Sequence, residues 1–135
     1  MKILIVEDDL SSRRILQKFL SEYGECDIVS DGAEAVNAFI ESWLKNSPYH
    51  LICMDIMMPN MDGQEALKKI REIEKEMDVS GPKEVKVIMT TALDDPKNVF
   101  QAFHKGGATS YIVKPISRKR LLEELCKLGL AGAKV

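Results

Sequence analysis

Paired cysteines, a cluster of histidines and an excess of either charge are what this 135-residue sequence lacks. Its three cysteines, Cys26, Cys53 and Cys126, are odd in number and far apart, with no C-x-x-C pair. That excludes a disulfide framework, and with only His50 and His104 to add, it leaves no zinc-ligand set. Reduced thiols in a cytoplasmic protein are the expectation. The 19 basic and 21 acidic side chains leave a net charge of −2, which gives no electrostatic basis for direct binding of nucleic acid or an anionic membrane. No apolar stretch approaches the ~18 residues of a membrane span. The opening "MKILIVEDD" has one lysine and four apolar residues before the acids, which is not the layout of a signal peptide. Repeats, low-complexity tracts and interdomain linkers are missing too, and a chain of this length is one domain with room for a core.

What is present is alternation. Five short β-rich runs, ILIV (3–6), CDIV (26–29), LICM (51–54), VKVIM (85–89, ending on Thr90-Thr91) and SYIV (110–113), are separated by segments of helical periodicity. The first helix carries Ile15, Leu16, Phe19, Leu20 and Tyr23 up to a stop at Gly24. "DGAE" opens the second, with Asp31 as cap and Glu34 closing a capping box. Its apolar stripe is Val36, Phe39, Ile40, Trp43 and Leu44. "DGQE" (62–65) opens the third, which buries Ala66, Leu67, Ile70 and Ile73 and turns the charged side of KKIREIEKE to solvent. "DVSGPKE" (78–84) is a loop. Asp95-Pro96 opens a fourth helix with Val99, Ala102 and Phe103, and Ser117 caps a fifth bearing Leu121, Leu122, Leu125 and Leu128. Strands alternating with helices imply right-handed βαβ units, and continuous apolar runs imply parallel strands buried on both faces. The expected fold is α/β: a doubly wound five-stranded parallel sheet in the order 2-1-3-4-5 with five flanking helices.

Ligands of such sheets bind at the carboxyl ends of the strands. Strand one ends on Glu7 and Asp8, strand three on Asp55, strand four on Thr91 and strand five on Lys114. Three carboxylates at ~5 Å and an effective dielectric of ~20 repel by roughly 3 kcal/mol per pair. Either protons are retained or a cation is bound. Among hard cations with oxygen ligands, Mg²⁺ fits best, because it keeps waters and shares sites with phosphate. A carboxylate flanked by a metal, an ammonium and a hydroxyl is suited to accept a phosphoryl group as an acyl phosphate.

"VEDD", "MDIMMPNMDG", "MTTA" and "YIVKP", in this order, resemble the receiver domain of two-component response regulators, chemotaxis regulators included. The resemblance implies a flavodoxin-like fold with a receiver over residues 1–128 and a tail over 129–135. It makes Asp55 the phosphoacceptor, loaded by a histidine kinase or phosphotransfer protein. Asp8 would ligate Mg²⁺ (with Mn²⁺ as the alternative) directly and Glu7 through water, while Asp55 and the Met57 carbonyl complete the protein's share. Thr91 and the Ala92 amide would hold the phosphoryl oxygens, and Lys114, joined to Pro115 by a cis peptide, would pair with them. Tyr111 matches the aromatic side chain that moves with phosphorylation. The implied chemistry is the protein's own phosphorylation and dephosphorylation rather than turnover of a substrate. Output would run through an unidentified protein target, from a monomer or a phosphorylation-dependent dimer.

Plainer roles stand beside these. Asp9 and Asp62 read as helix caps, Met58 as core filler and Cys53 as a small buried residue. Thr90 reads as structural, because alternation turns it away from the face of Thr91. The basic run Ser117–Arg120 reads as solvated, with a docking site for an acidic partner as the alternative. The resemblance also places Met57 and Leu93, two residues after Asp55 and Thr91, where a polar pair would orient the hydrolytic water, and since both are apolar it implies slow loss of the phosphoryl group. An aspartate-nucleophile phosphatase needs an acid two residues after the nucleophile, and Met57 occupies that position. A flavin binder needs a phosphate-cradling loop after strand one, and none is evident. The chain length leaves no room for an output domain, so a stand-alone receiver is expected ahead of a half separated from a DNA-binding partner.

Overall fold

In the computed structural model, described for residues 1–92 and 107–131, alternating elements build one parallel sheet. β1 (Lys2–Val6), α1 (Leu10–Leu20), β2 (Glu25–Val29), α2 (Gly32–Leu44), β3 (Leu51–Asp55) and α3 (Gly63–Glu76) come first. A 3₁₀ turn (Gly81–Lys83), β4 (Lys86–Thr91), β5 (Ser110–Val113) and α4 (Arg118–Lys127) complete the described chain. The strand order is β2-β1-β3-β4-β5, every neighbouring pair parallel, as the periodicity predicts. The expected helix through Val99 and Phe103 falls outside the described residues.

Successive side chains of a strand point to opposite faces, so each apolar run feeds two cores. Leu4, Val6, Ile52, Met54, Val87 and Met89 pack with Phe39 of α2 and with Leu67 and Ile70 of α3. Ile3, Ile5, Leu51, Cys53, Ile88 and Ile112 pack with Leu16 and Leu20 of α1 and with Leu121 and Leu125 of α4. Each helix begins on a side chain that accepts a hydrogen bond from an otherwise unpaired amide: Asp9 from Ser12, Asp31 from Glu34, Asp62 from Glu65 and Ser117 from Arg120. Asp9 and Asp62 are therefore caps, and Asp8 is left free of that duty.

Several local expectations shift. α1 stops at Leu20, before Tyr23, and Gly24 is required for another reason. A Cβ there would lie 2.2 Å from the Met1 carbonyl oxygen, which accepts from the Glu25 amide. α2 buries Ala35, Phe39 and Ser42, while Ile40 and Leu44 of the supposed stripe are exposed. Small residues let the helix approach the sheet on a face that apolar counting overlooks. The Glu34 carboxylate reaches back to the Ser30 amide, one residue earlier than a capping box requires.

The charged side of α3 is not wholly solvated. Glu74 is fully buried, accepting from the Val85 amide at 2.7 Å and from Arg71 at 2.6 Å. Arg71 also donates to the carbonyls of Val85 and Gly107. The pair locks α3 to the start of β4 and to the segment entering β5. In the basic run, Arg118 pairs with Glu22, and Arg120 with Glu124. Two of its three cations thus pair with carboxylates of the same chain rather than standing as a purely solvated run. No helix among the described residues is long and apolar enough to cross a membrane.

Candidate functional site

The carboxyl ends of β1 and β3 meet at the centre of the sheet, and three carboxylates meet with them. Carboxylate oxygens of Glu7, Asp8 and Asp55 lie within 4.8 Å of one another. Glu7 and Asp55 are buried at 0% and 7% exposure, while Asp8 opens to solvent. Lys114, at the end of β5, is the cation that answers them. Its Nζ is 3.0 Å from Glu7 Oε2 and 3.2 Å from Asp55 Oδ2. This explains why a carboxylate tolerates the tip of a strand buried on both faces: Asp55 has Lys114 on one oxygen and the Met57 amide, at 3.3 Å, on the other. Lys114 is joined to Pro115 by a cis peptide, as expected.

One ammonium against three carboxylates leaves an excess of negative charge in a largely buried place. Burial first, and the neighbouring Asp55 charge second, push the Glu7 carboxyl up to about 7. Burial alone would lower Lys114, but its contacts with Glu7 and Asp55 outweigh that and raise it. An all-oxygen donor set with uncompensated negative charge and one open side fits a hard divalent cation. Glu7, Asp8 and Asp55 are the side chains that could hold it.

Residues that sequence reasoning passed over keep these groups in place. Arg13 of α1 donates to the Glu7 carbonyl through Nη2 at 2.9 Å and Nε at 3.2 Å. Gly63 packs directly beneath Asp55: a Cβ would fall 2.2 Å from the Asp55 carbonyl oxygen, and its amide donates to the Ile56 carbonyl. Asn60, in the left-handed region at φ 66°, donates to Asp31 and ties the loop after β3 to the start of α2. The Asp-Gly spelling marked Gly63 as a helix start, and only the third dimension shows the close approach. Met57 is 63% exposed at the rim, whereas Met58 packs on the core as expected. Leu93, its supposed partner over the site, lies outside the described residues.

The two threonines separate by alternation, but in the opposite sense to that expected. Thr90 pairs in register with Asp55 and Ile112, and so shares the face of Asp55. Thr91 shares the other face with Met89, in register with Tyr111. Thr91 is 1% exposed and is the last residue of β4, adjoining Ala92 at the crevice. Tyr111 is partly buried against the same core. Thr91 and Tyr111 therefore lie on one face, the arrangement a coupled pair needs.

The family model for the response regulator receiver domain matches residues 3–126. The chain belongs to that family. Chemotaxis protein CheY of Treponema pallidum is 37% identical over 130 residues, covering 94% of this chain and 81% of that protein. The probable transcriptional regulator ycf27 of Porphyridium aerugineum is 39% identical over 122 residues, covering 89% of this chain. The chain spans 44% of that relative's length and 12% of a similar probable histidine kinase from rice. Among solved structures, CheY in the CheX–CheY–BeF₃–Mg²⁺ complex from Borrelia burgdorferi is similar, with a TM-score of 0.80, 27% identity and coverage of 96% of this chain and 89% of that one. The complex of the Saccharomyces cerevisiae phosphotransfer protein Ypd1 with the receiver domain of Ssk1 also contains a similar chain, with a TM-score of 0.80, 28% identity and coverage of 100% and 92%. This receiver domain is thus a module of two-component signalling with the fold its sequence periodicity predicts.

Proposed function

We propose that Asp55 is the phosphoacceptor of this receiver and that Mg²⁺ binds beside it. The carrying observation is the meeting of buried Asp55 with Glu7, Asp8 and Lys114 at the carboxyl edge of the sheet. An Asp55 oxygen attacks the phosphorus of a phosphohistidine on a histidine kinase or phosphotransfer protein. The new P–O bond forms as the P–N bond breaks, and the leaving imidazole takes up a proton from water. Bound Mg²⁺ supplies charge neutralisation for the phosphoryl oxygens. Asp8, Glu7, Asp55 and the Met57 carbonyl would hold the ion. Lys114, Thr91 Oγ1 and the Ala92 amide would receive the phosphoryl oxygens.

The chemistry is stoichiometric, and output is a changed face around Thr91 and Tyr111 read by a protein target. The phosphatase reading lacks its proton donor, since a methionine stands at position 57. Asp8→Ala tests the metal assignment. With Asp9 already serving as cap, the variant should weaken Mg²⁺ binding by tenfold or so, about 1.4 kcal/mol, and slow phosphoryl uptake from acetyl phosphate. Unchanged Mg²⁺ affinity by titration calorimetry would remove Asp8 from the site.

A further inference from the structure

The ladder between β1 and β3 ends at the pair Val6 and Met54, and the site begins one residue later on each strand. Glu7 and Asp8 lead into one loop, Asp55 and Met57 into another. Like charges on the two push them apart when no cation is bound. The ties that oppose this spreading meet at residues 30–32, a turn between β2 and α2 that supplies no group to the site. On one side the link is Arg13. Its Nη2 donates to the Glu7 carbonyl at 2.9 Å and to Ser30 Oγ at 3.0 Å, and the Glu7 amide donates to the Val29 carbonyl. On the other side Asn60 Nδ2 donates to Asp31 Oδ2 at 3.0 Å, while Asp31 Oδ1 caps α2 by accepting from the Glu34 amide. The Gly32 amide donates to the Met61 carbonyl at 3.0 Å, and a Cβ on Gly32 would lie 2.5 Å from that oxygen. The turn and the loop after β3 thus touch backbone to backbone.

We propose that the turn at residues 30–32 braces the two metal-holding loops against each other, with Arg13 and Asn60 as the positioning residues at its ends. The proposal rests on the reading of Glu7, Asp8 and Asp55 as the holders of Mg²⁺. That ion demands near-octahedral geometry at ~2.0–2.1 Å, so loops that have spread must be gathered before it is held. Apparent affinity then falls with the fraction of molecules in the gathered arrangement. Arg13 and Asn60 act in series. Cutting either link releases the spacing, and cutting the second adds little.

The test is calorimetric titration of MgCl₂ into the wild type, Arg13→Met, Asn60→Gly, the double variant, Tyr49→Phe and Asp8→Ala. Glycine accepts the left-handed backbone of position 60, φ 66°, without strain, so Asn60→Gly removes the donor alone. Each single variant should bind Mg²⁺ about three- to tenfold more weakly, the range of one hydrogen bond. The double variant should stay within about twofold of the weaker single one, because linked groups are not additive. Tyr49→Phe removes a 2.6 Å hydrogen bond to Asp27 of β2 that lies outside the brace, and it should bind Mg²⁺ as the wild type does. Wild-type affinity in Arg13→Met or in Asn60→Gly would overturn the proposal. So would a double variant whose loss is the product of the two single losses, or an equal weakening by Tyr49→Phe. Asp8→Ala separates this from the underlying reading: unchanged affinity there would overturn the metal assignment itself.

Discussion

Glu7 shows how much of the site's behaviour one side chain can set. It is fully buried, its Oε2 facing Lys114 and its Oε1 accepting from the Asp9 amide. With its carboxyl raised from 4.5 to about 7, the folded protein holds a proton that the unfolded chain releases at lower pH. Stability from this group is therefore fully present below pH ~4.5 and is lost as pH rises through about 7, a loss on the order of 3 kcal/mol. Mg²⁺ would offset the charge that appears, so its stabilising effect should be larger at pH 8 than at pH 5. Thermal melts with and without Mg²⁺, comparing wild type with Glu7→Gln, check both statements. Equal Mg²⁺ stabilisation of the wild type at the two pH values would contradict them. Met57 sets a different property. A thioether 63% exposed at the rim cannot orient water by useful hydrogen bonds, so the acyl phosphate should persist. Met57→Asn with Leu93→Glu should shorten its lifetime by about tenfold, read by mass spectrometry after donor removal; an unchanged lifetime would show that the pair does not set it.

At the scale of elements, the two faces of β4 divide the labour. Thr91 and Tyr111 share one face, and Asp55 and Thr90 belong to the other. Moving a two-state equilibrium from 1:99 to 99:1 takes roughly 5.5 kcal/mol, and hydrogen bonds to a charged group give about 1.5–3 kcal/mol each. Losing one should leave a partial switch. Thr91→Ala should therefore bind beryllofluoride yet shift the β5 amide resonances only part of the way. Shifts as complete as in wild type would exclude Thr91 from the coupling. Elements were legible where the signal was local: all four described α-helices start on the Ser or Asp cap the sequence displays. Contacts across the fold were not. Glu74 sits in a run of charges that reads as solvent-facing, and its partners are Arg71 and the backbone of Val85. α2 hides its buried face behind Ala35 and Ser42. Thr90 and Thr91 were told apart by alternation, but nothing local fixes which parity faces Asp55; only the pairing register does.

The whole molecule was legible because its order follows from alternation. Parallel strands buried on both faces require continuous apolar runs, crossovers of one hand fix the sheet, and the strand ends deliver the polar groups to one edge. Glu7, Asp8, Asp55 and Lys114 are brought together as that logic requires. What it left out are the supports: Arg13 on the Glu7 carbonyl, Gly63 against the Asp55 and Ile56 carbonyls, and Asn60 on the Asp31 carboxylate, contacts that no local spelling announces. The central claim is that this edge makes Asp55 an acceptor of phosphoryl groups with Mg²⁺. Intact-mass spectrometry after incubation with acetyl phosphate tests it most directly. The account predicts one phosphoryl adduct (~80 Da) on the wild type with Mg²⁺, and none after chelation or on Asp55→Asn. An adduct on Asp55→Asn at the wild-type rate would contradict it.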